Sequence, residues 1–571
     1  MSVIMGGMEL AVWQLAERYW DGVLAAAPSE ATQLGDHRFD DRVDDLSLTA
    51  ESDNLNASGA LLREVDALDV GRLEARDRVT HALLRAEIAR ILDYLACRPK
   101  ELAYDHMAGV HAMALTYAPQ TVAAEPAHAT ALLARYRQFD SMLAQAAGRF
   151  RDGLAAGRSQ ARVSVERSLA QLDAYLASPL TDDPFATITG PTDWPATAAW
   201  RDELARIVGE VVRPAFARYR DMIAVELLPA ARGDDRAGLC WLGDDGTDMY
   251  HRLVRYHTTL PDSDADAIHE LGLSEIDRLT GEYATIGQRL FGTGDLGEVF
   301  ARLRADPALR YRHADDILTD ARDCLDRASA AAPRWFRRLP TRPCQIVPVP
   351  DFLSPDSPAA YYYPPAADGS RPGIYYVNQY QPGTRLRYET AAVAFHEAIP
   401  GHHLQLAIAS ELEHLPRFQR LSYTNTAFVE GWGLYAERLA DEMGLYTDDL
   451  DRIGMLAGDS LRSARLVVDT GLHAKGWSRR QAIDYMIAHT PAAPEEISVE
   501  VDRYIAAPAQ ALAYKIGQLE IQHQRQLATE RLGDRFDIAA FHDQILAHGA
   551  LNLTVLREQV ATGLSAPPDP R

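Results

Sequence analysis

Cysteine is scarce in this chain, and the four present (Cys97, Cys240, Cys324 and Cys344) lie far apart with no CxxC pair. That spacing excludes a zinc knuckle and gives no reason to expect a disulfide framework, so a reducing compartment is the expectation. Lysine is scarcer still: Lys100, Lys475 and Lys515 stand alone, and arginine supplies nearly all the positive charge. We read this as a compositional bias rather than a functional signal. With 58 Lys and Arg against 81 Asp and Glu, the net charge is -23, which leaves no basic footprint for nucleic acid. No apolar run approaches the roughly 18 residues that span a bilayer. The opening stretch "MSVIMGGMELAVWQLAERYW" lacks a basic n-region and meets Glu9 early, unlike a secretory leader. These absences predict a cytoplasmic protein with no membrane and no nucleic-acid partner. GxSxG and GxxxxGK are missing too, so serine-hydrolase and P-loop chemistry lack support.

What the chain does have is helical periodicity. In "ALLARYRQFDSMLAQAAGRF" the residues Leu132, Tyr136, Phe139, Leu143 and Phe150 keep to one apolar face. Similar patterns run through 8–26, 72–97, 197–230, 264–290 and 314–332. Between 340 and 382 the texture changes, because ten prolines there exclude long helices. "CQIVPVP" (344–350) and "GIYYVNQY" (373–380) read as extended strands. The expected fold is therefore mainly α with a small sheet. We divide it into an N-terminal helical lobe (1–340) and a catalytic lobe (341–571) within one continuous unit.

The chemistry concentrates in "AFHEAIPGHHLQ". His396 and Glu397 begin an HExxH pattern, but Pro400 holds the place of the second histidine, and His402 and His403 follow it. On an unbroken helix, turning about 100° per residue, His402 points about 120° away from His396, while His403 lies about 10 Å further along the axis. Neither can share a metal with bonds near 2 Å. Pro400 frees the carbonyl of His396 and, with Gly401, breaks the helix. If a bulge absorbs two residues, His402 takes the ligand position; His403 is the alternative. The third candidate ligand is Glu430 in "FVEGWGLYAERLA", 28 residues after His402 and flanked by Phe428, Val429 and Trp432. An acid in such apolar company needs a cation. Glu397 then stands as general base for water at the metal. A second His-Glu pair, His269 and Glu270, has no histidine following it and reads as an ordinary helix feature.

"HEAIPGHHLQ", "FVEGWGLYAERL", "DTGLHAKGWSRRQAIDYM" and "YIAAPAQALAYKIGQL" together resemble a widespread bacterial family with the signature HExxPGHH, catalogued as a domain of unknown function. "GDHRFDDR" and "FHDQILAHGALNL" extend the likeness over nearly the whole chain. That family is similar to the gluzincin metallopeptidases, among them carboxypeptidase Taq, the thimet-type oligopeptidases and angiotensin-converting enzyme. The resemblance implies a helical clam-shell with one Zn²⁺ at the floor of a cleft, held by His396, His402 and Glu430, with Glu397 as base. It also implies that "GIYYVNQY", with Tyr376 and Asn378, is an edge strand binding an extended substrate. Tyr514 in "ALAYKIGQ" resembles the tyrosine that stabilises the oxyanion in those enzymes.

In "SARLVVDTGLHAKGW" the residues Arg465, Asp469 and His473 recur every four positions. They form either a salt-bridged helix surface or a polar stripe facing the cleft. In the second case Asp469 supports a ligand and His473 contacts substrate. Arg503 and Lys515 could take a substrate carboxylate. Gly292, Gly294 and Gly297 have GxGxxG spacing but follow a helix, not a strand, so no dinucleotide site is expected. "GDDGTD" at 243–248 lacks the acidic twelfth position of an EF-hand. The expected activity is zinc-dependent hydrolysis of a peptide or amide bond, on short peptides as a carboxypeptidase or dipeptidase. Alternatives are an amidohydrolase of small molecules with the same metal site, and a non-catalytic helical binding protein.

Overall fold

The computed structural model describes residues 7–102, 105–350, 354, 358–365 and 371–563; the first six residues of the opening stretch lie outside it. The chain is mainly helical with one small sheet. Helices Gly7–Ala26, Ala75–Ala96, Ala265–Phe291 and Ala314–Ala331 match the apolar periodicity closely. Helix starts follow local chemistry: Asp264 accepts a hydrogen bond from the Ala267 N–H at the start of Ala265–Phe291, and Ser478 and Gln481 form a reciprocal capping box at the start of Arg479–His489. The 197–230 pattern is one helical run widened into π turns at Val208–Val212 and Ile223–Leu227. Each π turn precedes a proline, Pro214 or Pro229, and contains the carbonyl four residues back that its ring would strike. The apolar stripe 131–150 divides instead into Pro126–Tyr136 and Phe139–Ala155. Leu132, Tyr136, Phe139, Leu143 and Phe150 nevertheless all remain buried.

The sheet has three strands: β1 (Cys344–Pro348), β2 (Ala360–Tyr363) and β3 (Gly373–Val377), in the order β1-β3-β2. β1 runs parallel to β3, and β2 antiparallel with Tyr361 opposite Tyr376. "GIYYVNQY" thus supplies the central strand, not an edge, because partners from both sides occupy its backbone. Gly373, Tyr375 and Val377 point into the core, while Ile374 and Tyr376 face the other way. Tyr376 stacks on Tyr361 at 4.9 Å and meets Tyr363 edge-on at 5.8 Å.

The largest apolar core draws on residues from Leu15 to Val560, so segments on both sides of 340 share it. A separate core lies within 118–231. Helix Asp449–His473 is buried on nearly every side. Helices Thr426–Glu442 and Leu512–Leu532 cross glycine on glycine: a Cβ on Gly431 would lie 2.5 Å from the Gly517 backbone.

Candidate metal centre

Helix Thr390–Glu397 carries His396 in its last turn, and a new helix, His402–Ser410, begins after four residues. The sequence predicts a bulge; the structure makes two helices. Pro400 cannot donate to the carbonyl of His396. Gly401 has no room for a side chain, since its Cβ would fall 1.9 Å from that same oxygen. The break is pinned from outside: the Trp432 indole N–H donates to the Pro400 carbonyl at 2.9 Å. Trp432 sits on helix Thr426–Glu442, which also carries Glu430.

His402 becomes the first residue of its helix, and its ring lies 4.7 Å from that of His396 at 87°. The Nε2 atoms of both rings stand 3.5 Å from Glu430 Oε2. Ligands about 2.1 Å from a tetrahedral ion lie about 3.4 Å apart. The donor set, two imidazoles and a carboxylate, together with this spacing, fits a zinc-sized cation with a coordination position to spare. A second group, His37, Asp40 and His128, also gathers potential ligands. Its rings stack at 3.8 Å and only 13° apart, so their in-plane lone pairs run parallel and do not converge on one ion.

Behind His396, Nδ1–H donates to Glu437 Oε1 at 2.8 Å, which orients Nε2 toward Glu430. Burial opposes charge on His396, but Glu430 and Glu437 outweigh it and push its pKa up to about 10. Burial likewise opposes charge on Glu430, yet His396 and His402 hold its carboxyl well below the usual range. The buried group therefore favours positive charge at its centre. Sequence reasoning passed over Glu437, although it stands seven residues after Glu430 on the same helix face.

A model of a bacterial protein family of unknown function (DUF885) matches residues 28–560. The chain belongs to this family. No curated protein matches it. Among solved structures, it is similar to one described as "the putative lipoprotein from Colwellia psychrerythraea", with TM-score 0.90 and 24% identity over 98% of this chain and 99% of that one. A "putative lipoprotein of unknown function from Shewanella oneidensis" aligns with TM-score 0.75 and 18% identity over 96% and 99%. At these identities the likeness establishes the fold alone. No helix among the described residues is long and apolar enough to cross a membrane.

The other predicted residues of this family member fall on both sides of the outcome. His403 points to the sheet: its Nδ1 and the Tyr362 hydroxyl share a hydrogen bond at 2.9 Å, and burial lowers its pKa to about 4. Glu397 is half-buried beside His396, and its charge, second to burial, raises the Tyr375 phenol pKa. Tyr514 is half-buried near Glu430; burial and then that carboxylate raise its pKa. The Arg465 guanidinium lies 4.6 Å from the Tyr514 ring centre.

The remaining assignments need correction. His473 is 1% exposed, accepts from the Leu239 N–H and donates to the Tyr504 carbonyl, so no face is left for substrate. Asp469 does not support a ligand; it accepts from the Tyr250 hydroxyl and the Ala509 N–H, and Glu437 fills the supporting role instead. Asn378 is buried, with its amide N–H groups on the Ser354 and Pro358 carbonyls and its oxygen accepting from the Tyr380 N–H. Lys515, also buried, serves Asp459, Gln518 and Glu275. Arg503 stays close to Tyr514, but donates to Gln510 and Glu500. Tyr376, packed among tyrosines on a central strand, cannot offer its backbone to a substrate.

Proposed function

We propose that the chain is a zinc-dependent hydrolase of peptide or amide bonds, with His396, His402 and Glu430 as ligands. The observation that supports this most directly is the pair of 3.5 Å separations from Glu430 Oε2 to the two Nε2 atoms, close to the edge of a zinc tetrahedron. When bound, zinc would polarise a carbonyl and make water acidic enough to attack near neutral pH. Glu397, adjacent in sequence to His396 and partly accessible, would accept the proton from that water. Tyr514, whose raised pKa keeps it a neutral phenol, would donate a hydrogen bond where the oxyanion develops. Glu437 would hold His396 in the liganding tautomer. The gluzincin-like motif extends this reading to a helical clam-shell acting on short peptides, as a carboxypeptidase or dipeptidase.

Metal analysis of the purified protein tests the proposal. Near-stoichiometric zinc is expected, lost in His402→Ala and retained in His403→Ala. Glu397→Gln should keep the metal and lose turnover by about 10²–10⁴-fold. Protein that takes up no zinc on reconstitution would sink the hydrolase reading and favour a binding protein. Hydrolysis of a dipeptide and tripeptide library, set against N-acyl amino acids, separates peptidase from amidohydrolase.

A further inference from the structure

The separate core within 118–231 borders a cavity of about 240 Å³. Phe139, Met142, Phe150 and Phe185 give it an apolar, aromatic wall, and Lys100, Arg135 and Arg149 join them. Among the described residues only one carboxylate, Asp44, lines it in opposition, and Asp44 already accepts from the Ser29 N–H. Behind the wall Arg149 pairs with Glu51 and stands 3.7 Å from Glu101, and Arg135 stands 3.8 Å from Asp40, which leaves Lys100 as the lining cation with no ion-paired carboxylate among the described residues.

The cations are not fully used. Arg149 is 3% exposed and donates through Nη2 to Glu51, while its Nε and Nη1 have no hydrogen-bond partner. Arg135 serves three oxygens through Nη2, and its Nε has no partner. Half-exposed Lys100 reaches the Asp45 carbonyl at 3.3 Å. Protein interiors are close-packed and pair their buried donors. Those unpaired nitrogens are covered, so the cation the void meets is Lys100, and a void of this size against it has the makings of a ligand site rather than a packing fault. Burial also raises the Asp44 pKa, which reduces its opposition to an anion.

We infer that this cavity binds a small carboxylate with an aromatic or branched apolar body. Lys100 would take the head and the phenylalanine wall the body. An apolar void of about 150 Å³ holds benzene, so this one suits an acid of about ten non-hydrogen atoms. A cationic ligand would meet like charge, and a long-chain acid would not fit.

Calorimetric titration of the full chain with 3-phenylpropionate tests the assignment, with 3-phenylpropionamide and 3-phenylpropan-1-ol as neutral counterparts. Saturable 1:1 binding of the acid is expected, at least tenfold tighter than either neutral compound. Lys100→Met should weaken the acid at least fivefold and leave the alcohol unchanged. Ala146→Phe places a ring in the cavity and should abolish binding without lowering the melting temperature. That variant also separates the cavity from carboxylate binding at a zinc ion. No saturable binding of the acid, equal affinity for its amide, or unchanged affinity in Ala146→Phe would each overturn the inference.

Discussion

His396 is held from two sides, and each contact can be tested alone. Its Nδ1–H goes to Glu437, which is itself 2% exposed. Glu437→Gln keeps an acceptor but removes the charge that makes the imidazole a stronger donor to metal. Zinc affinity, read by competition with a chromophoric chelator, should fall about 10–100-fold; wild-type affinity in that variant would remove Glu437 from the site. On the other side Gly433, one turn after Glu430, lies against the ring. A Cβ there would stand 2.7 Å from both Cε1 and Nε2 of His396, closer than atoms pack. Gly433→Ala should therefore displace the ring and lose zinc while circular dichroism still reports a folded helical protein. Zinc bound at full occupancy in Gly433→Ala would show that the ring can yield.

At the scale of elements, the site depends on how closely helices Thr426–Glu442 and Leu512–Leu532 approach. A Cβ on Gly517 would fall 1.7 Å from the Ala427 carbonyl oxygen. Gly517→Ala must push the helices apart, destabilising by about 1–3 kcal/mol as overpacking does, and carry Tyr514 away from Glu430. We expect a lower melting temperature and a turnover loss larger than any loss of zinc; an unchanged turnover would separate Tyr514 from the chemistry. Much of this arrangement was legible in the sequence, because it rests on local rules. Proline and glycine mark the helix break, the apolar neighbours Phe428, Val429 and Trp432 single out Glu430, and the β-branched and aromatic run marks β3. What escaped were the relations between elements. A strand's residues do not say whether it lies at an edge or in the middle, and β2 sits in proline-rich sequence that hides it. Arg465, Asp469 and His473 do share one helix face, but whether that face meets solvent, cleft or core depends on the helices packed around it. Lys515 misled for the same reason: Asp459 and Glu275, its partners, lie 56 and 240 residues away in sequence.

For the molecule as a whole, Asp469 ties distant parts together. From helix Asp449–His473 it accepts the Tyr250 hydroxyl of helix Asp244–Thr258 and the N–H of Ala509, just before helix Leu512–Leu532. Burial raises its pKa from 3.8 to about 7, against the pull of those hydrogen bonds. Folded protein thus holds a proton between about pH 4 and 7 that unfolded chain releases. Stability from this group is greatest at the acid end and declines as pH rises through that window. At about 1.4 kcal/mol per unit the decline is at most about 4 kcal/mol. His473, one turn along, works the other way: burial lowers its pKa to about 4, so its contribution is lost as pH falls from about 6.5 towards 4. Asp469→Asn removes the first dependence and leaves the second, while retaining an oxygen to accept from Tyr250 or Ala509. The variant's melting temperature relative to wild type should therefore climb between pH 4 and pH 7.5 and level off above. Thermal melts across that range decide it, since a difference that stays flat would mean Asp469 ionises in the folded protein as readily as in the unfolded chain.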